Sequence, residues 1–158
     1  MRAPWNLLVR DLALAAATLA LWLLSRRLDA SASAAAVPVA VLAGLALPGV
    51  GFLAHEWGHL AGARLAGSVI DYPASLRSPF LFHFDGARNG RRQFLWLSAG
   101  GFVASAVFLG GLLAGLSLNH LADRIALGLA AIGVLATLVL EVPQAWRVYR
   151  GASLPAAP

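Results

Sequence analysis

The sequence predicts an all-α membrane protein of about four transmembrane helices, with a possible short hairpin in the loop between the second and third. Three observations carry this. Hydrophobic residues make up 59% of the chain and charged ones 12%, with a mean hydropathy of +0.75, which is outside the range of an ordinary water-soluble domain. Four apolar stretches, at roughly 7–24, 37–66, 94–118 and 121–142, are each near or above the roughly 18–20 residues a spanning helix needs. No polar segment is long enough to fold as a separate soluble domain, so 1–158 reads as one integral membrane domain.

The first stretch is rich in Ala and Leu, and Thr18 is its one internal polar group beyond the interfacial pair Arg10–Asp11. Packing is its expected role. A rival reading takes "MRAPWNLLVR" as the start of a signal peptide, with an Ala-x-Ala-like site in "DASASA". Arg26, Arg27 and Asp29 interrupt the approach to that site, so a retained first span is the reading adopted.

Pro38 suits the first turn of the second helix. From Val37 to Ala66 is 30 residues, about 45 Å if helical, more than one straight crossing requires and too little for two. Pro48 in "LPGVG" removes a backbone donor, which predicts a kink or break there and a helix from about Gly49 to Ala66.

Residues 68–93 form the one substantial loop, and Pro73, Pro79, the apolar "PFLFHF" and the Asp85–Gly86 and Asn89–Gly90 turn signals allow a short hairpin. The third stretch holds Gly100, Gly101, Gly110, Gly111 and Gly115, whose Gly111-x-x-x-Gly115 pair permits close helix approach, while Gly58 and Gly62 on the second fit a face where another backbone or a substrate comes close, a use that plain packing shares. The fourth ends in "LVLEVPQAWRVYRG", whose single acid is Glu141.

The net charge of +5 comes from twelve Arg and no Lys. In a four-span arrangement Arg2, Arg10, Arg77, Arg88, Arg91, Arg92, Arg147 and Arg150 fall on one side, against Arg26, Arg27 and Arg124 on the other. That asymmetry follows the positive-inside rule, and predicts a multi-pass protein of the cell membrane with both termini and the long loop in the cytoplasm. The arginines therefore read as topology determinants in contact with the lipid bilayer, and nucleic acid is not an expected partner. Cysteine is absent, which leaves His and carboxylates as the ligands for any zinc.

The chemistry concentrates in "FLAHEWGHLAGARLAG", residues 52–67. His-Glu-x-x-His on a helix puts His55 and His59 on one face, near enough to share one Zn²⁺, while Glu56 can reach water beside the metal. This is a hydrolytic device: zinc polarises a carbonyl and acidifies water, and the glutamate moves the proton. Ionisable groups inside a spanning helix are costly and usually functional. The plainer alternative is that both imidazoles hydrogen-bond neighbouring helices.

"HEWGHLAGARLAG", then a loop, then "RRQFLWLSAGGFVASAVF" resembles the site-2 protease family of intramembrane zinc metalloproteases, over roughly residues 50–150. The resemblance implies that His55 and His59 are zinc ligands, that Glu56 is the catalytic general base, and that a site facing the cytoplasm cuts the membrane segment of another transmembrane protein. Gly100–Gly101 stands where that family more often has Gly-Pro. The family takes its third ligand from an Asp in a Leu-Asp-Gly motif of a later span, and "LVLEVPQAWRVYRG" contains no Asp.

A depth argument supplies a replacement. The second and fourth helices run parallel, His59 lies five residues before Arg64, and Glu141 lies six before Arg147, so the two share a level. Glu141 then completes a His₂Glu site, with Pro143 turning it inward. The rivals are Gln144 as a hydrogen bonder to a ligand or the substrate, His83 reaching back from the loop, and no third ligand at all; His120 and Asp123 belong to the opposite connection. The functional expectation is an intramembrane zinc metalloendopeptidase acting on membrane proteins, with the segment around Pro79–Phe84 presenting the substrate as an added strand. The alternative is a catalytically degenerate relative that serves as a binding or regulatory subunit. Four histidines are too few for a di-iron membrane hydroxylase, and channel or transporter function finds little support in spans otherwise free of charge.

Overall fold

A computed structural model describes residues 5–155. It is all-helical apart from one two-residue ladder. Helix α1 runs Trp5–Ala30, α2 Ala36–Leu65, α3 Arg91–Gly115 and α4 Leu121–Ala136; a π-helical turn, Thr137–Glu141, joins α4 to α5, Val142–Tyr149. The stretches Trp5–Ala30, Ala36–Leu65, Arg91–Gly115 and Leu121–Tyr149 are each long and apolar enough to cross a membrane. Arg2, part of the charge asymmetry, lies outside the described residues.

Helix α2 sits at the centre and packs on α1, α3 and α4. Its neighbours leave broad apolar faces outward, with Leu12 and Leu19 on α1, Val103 and Val107 on α3, and Ile132 and Leu135 on α4 all exposed. Such faces match lipid, where burial of apolar surface from water is not what draws helices together.

The break expected at Pro48 is absent, because α2 is helical without interruption from Ala36 to Leu65 with Pro48 inside it. A proline deletes one ladder bond, and three neighbouring helices hold the segment on either side of the gap. The helix ends instead at Leu65, and Gly67 beyond it, with a φ of +67°, closes a Schellman motif. The Ser68 amide donates to the Ala63 carbonyl at 2.9 Å and the Gly67 amide to Arg64 at 3.1 Å.

Close approach of α2 and α3 rests on Gly58 and Gly62, on the face the sequence pointed to, and on Gly100, not on the Gly111–Gly115 pair. A Cβ at Gly58 would strike the Gly100 carbonyl oxygen, one at Gly62 the Trp96 carbonyl oxygen, and one at Gly100 the Gly58 carbonyl oxygen. Nothing among the described residues lies within 4 Å of a Cβ added at Gly111 or Gly115. The contact is therefore made in the half of α3 nearer the loop.

The expected hairpin is present in miniature. Strand β1, Ile70–Asp71, pairs antiparallel with β2, His83–Phe84, with Ile70 opposite Phe84. Asn89 clamps its base: its amide donates to the Val69 and Asp85 carbonyls, and its carbonyl accepts from the Val69 amide, each at 2.8 Å. Leu81 and Phe82 plug into a core with Leu7, Leu60 and Ala63, so the loop folds back onto α1 and α2. At the opposite end buried Asp123 accepts from Trp22 Nε1 (2.7 Å), Arg26 Nη2 (2.7 Å) and the Ser117 amide (2.8 Å), and His120 faces Asp29 at 3.0 Å. His120 and Asp123 thus join α1 to α4 at the end remote from the loop.

Candidate metal centre

The four-residue spacing of "HEWGH" stacks the two imidazoles on the α3-facing side of α2, with ring centroids 4.2 Å apart. Each ring is held from behind by α3. His59 Nδ1 lies 2.9 Å from the Leu97 carbonyl oxygen, and His55 Nδ1 lies 3.2 Å from the Gly101 carbonyl oxygen and 2.8 Å from Ser105 Oγ. A carbonyl oxygen can only accept, so these contacts place a proton on each Nδ1 and free each Nε2 for another partner.

Both Nε2 atoms turn towards one carboxylate. Glu141 Oε2 stands 3.2 Å from His55 Nε2 and 3.6 Å from His59 Nε2. The ligand atoms of the three residues all lie within 4.8 Å of one another, a group that could hold a metal ion. With bonds of about 2.0–2.1 Å, tetrahedral zinc holds neighbouring ligand atoms about 3.3 Å apart, and the two separations bracket that value. The electrostatics point the same way. Two nitrogen lone pairs and a carboxylate oxygen repel one another unless a cation lies between them, whether a divalent metal or a proton on an imidazole.

Glu141 reaches this position through the π-helical turn. The Val142 amide bonds to the Thr137 carbonyl, five residues back, and Pro143 follows at the start of α5. Proline has no N–H to give the carbonyl four residues earlier and its ring crowds that carbonyl, so a widened turn before it relieves the clash. The added residue per turn re-aims Glu141 towards α2, consistent with the inward turn expected of Pro143.

Glu56, 8% exposed, lines the same cavity, as does Phe80 of the loop. The cavity holds about 670 Å³ and is walled chiefly by apolar side chains, among them Phe52, Phe80, Phe102, Phe108 and Leu129. His55, Glu56, His59 and Glu141 are its ionisable lining residues, gathered on one wall. Gly101 has a steric reason here: a Cβ at that position would run into the His59 ring.

Of the proposed ligands, the structure brings His55, His59 and Glu141 together. His83 does not join them; it sits exposed on β2. Gln144 is half-buried on α5 and does not line the cavity. Sequence reasoning missed Ser105 and the Leu97 and Gly101 carbonyls as acceptors for the two rings. Carbonyls carry no residue-type signal, but Gly101 and Ser105 lie four apart on one helix face, small residues opposite two histidines, and that spacing was readable.

No family model, curated protein or solved structure matches the chain.

Proposed function

We propose that the chain is an intramembrane zinc metalloendopeptidase that hydrolyses peptide bonds in the membrane segments of other proteins. One observation carries the reading: two imidazole Nε2 atoms and the Glu141 carboxylate converge in a cavity that also holds Glu56, on helices long and apolar enough to span a bilayer. The donor set suits zinc, being two neutral nitrogens and one carboxylate with the second nitrogen of each ring already hydrogen-bonded. His55, His59 and Glu141 would hold the ion.

A zinc ion there would supply Lewis acidity, polarising a carbonyl oxygen and making water nucleophilic near neutral pH. Glu56, one residue from the first ligand, is placed to take a proton from the attacking water at its carboxylate and pass it to the leaving amine nitrogen. The aromatic walls formed by Phe52, Phe80 and Phe102 favour an apolar segment and keep bulk water away from the reacting groups. A peptide bond must be out of helical geometry to be attacked, since a helix hides its carbonyl in the ladder; the cavity gives room for such an unwound stretch. The arginine asymmetry supports entry of water from the cytoplasmic side, where the long loop and both termini would lie.

The direct test is cleavage of a tagged membrane substrate by the wild-type protein and by Glu56→Gln, with zinc content measured on both. The expected result is loss of cleavage by a factor on the order of 10²–10⁴ with zinc retained. Equal processing by the two proteins would reject the enzyme reading and leave a zinc-bearing binding or regulatory subunit.

A further inference from the structure

Arg10 and Asp11 sit within α1, a helix otherwise apolar around them, and neither touches the metal cluster. Asp11 is 5% exposed. Buried ion pairs contribute little net stability once desolvation is counted, so the contacts these two make deserve a reason beyond holding the fold. The two carboxylate oxygens of Asp11 serve different partners: Oδ1 takes Arg10 Nε at 2.7 Å, and Oδ2 accepts from Trp57 Nε1 at 2.9 Å. Trp57 immediately follows Glu56. Arg10 Nη1 then donates to the carbonyls of Leu76 and Ser78, both at 2.7 Å. The same loop continues into Phe80, which lines the cavity together with Glu56, and into Leu81, fully buried in a core with Leu60 and Ala63 of α2.

One dipeptide on α1 therefore grips the surroundings of Glu56 from two directions, along α2 through Trp57 and across space through the 76–81 segment. We propose that Arg10 and Asp11 act as positioning residues, a latch that holds the 76–81 segment closed over the part of the cavity that Glu56 lines and keeps Trp57, and with it Glu56, in place. The role assigned to Glu56 rests on the protease reading above; the latch itself does not. Releasing it lets the loop swing away and exposes Leu81, while the three metal ligands, carried by α2 and the turn after α4 and braced by α3, stay in place.

The chain contains no cysteine, so a single introduced thiol reports local opening without background. The experiment places Leu81→Cys in the full-length protein in bilayer vesicles and measures its modification rate by a water-soluble maleimide, alone and combined with Arg10→Gln or Asp11→Asn. Ala40→Cys, at the remote end of the bundle, serves as the reference for general loosening. Either latch substitution should raise labelling at position 81 by about tenfold or more, as local opening frees a buried site, and leave position 40 and zinc content unchanged. On the tagged substrate the same substitutions should lower kcat with little change in KM, and Arg10→Lys should restore only part of it because an ammonium cannot span Asp11 and two carbonyls as the guanidinium does. Unchanged labelling at position 81, or an equal rise at both positions, overturns the latch. Increased labelling at position 81 alone in a protein that cleaves nothing upholds the latch and places the failure in the protease reading.

Discussion

At the residue scale the decisive feature is that His55, His59 and Glu141 present acceptors to a common point, since α3 carbonyls already occupy the other nitrogen of each ring. On the proposed zinc site, Glu141→Ala should leave the purified protein without zinc, whereas His83→Ala should keep zinc content at the wild-type level because His83 lies exposed on the hairpin. Elemental analysis of the purified proteins decides, and loss of zinc in the His83 variant alone would move the third ligand to the loop. The His-Glu-x-x-His residues were legible because spacing on a helix is a local property. Glu141 was legible only through a depth argument, and the backbone acceptors on α3 were not, since they exist only once two helices are docked.

Asp85, in the loop, supplies a pH signature of the hairpin. The Ala87 amide and then Arg88 stabilise its charged form and hold its pKa below the ordinary 3.8, while Arg88, hydrogen-bonded to Asp71 and then Asp85, is held above its own ordinary value. A carboxylate with a depressed folded pKa contributes stability above its unfolded pKa and loses it as pH falls through the folded one. Arg88 stays charged throughout. Hydrogen exchange at the Ala87 and Arg88 amides should therefore be protected from neutral pH down to about pH 4 and lose protection below it. Protection that persists unchanged to about pH 2 would show that the Asp85 contacts do not hold this turn.

At the element scale, the α2–α3 crossing sets the site because it brings the Leu97 and Gly101 carbonyls within reach of the rings. Gly100→Leu should destabilise the protein by about 1–3 kcal/mol, the usual cost of overpacking, and weaken zinc binding with it. Gly110→Leu should be tolerated, as nothing lies within 4 Å of a Cβ added there. Thermal unfolding in detergent checks both, and equal losses would mean that the crossing lies elsewhere on α3. The face of Gly58 and Gly62 was legible from the sequence, whereas the pair at 111 and 115 shows that small-xxx-small spacing identifies a face on which approach is possible without saying whether a partner uses it. Pro48 misled for a related reason: proline removes a hydrogen bond wherever it stands, but whether the helix stops depends on what packs around it. Pro143, by contrast, has a visible effect, the widened turn that ends in Glu141.

At the scale of the whole molecule, composition alone made the architecture legible. Four helices of 26, 30, 25 and 29 residues carry the required hydropathy, and each apolar stretch read from the sequence lies within or close to one of them. The ends were less legible. The helix beginning at Leu121 runs past Pro143 to Tyr149, because the π-helical turn accommodates the proline that would otherwise mark its end. The arginine asymmetry predicts a sidedness that labelling tests: single cysteines at Arg77 and Ser31 should be labelled from opposite sides of sealed vesicles, the first from the cytoplasmic side, and labelling of both from one side would refute a four-span topology.

The account as a whole depends on a metal ion joining α2 to the turn after α4. Zinc per chain, measured on protein purified without added metal for the wild type and for Glu141→Ala, tests it most directly. About one zinc per wild-type chain and almost none in the variant is the expected result, in keeping with a three-ligand site that loses its carboxylate. A wild-type protein free of metal, or equal zinc in the two, would contradict it.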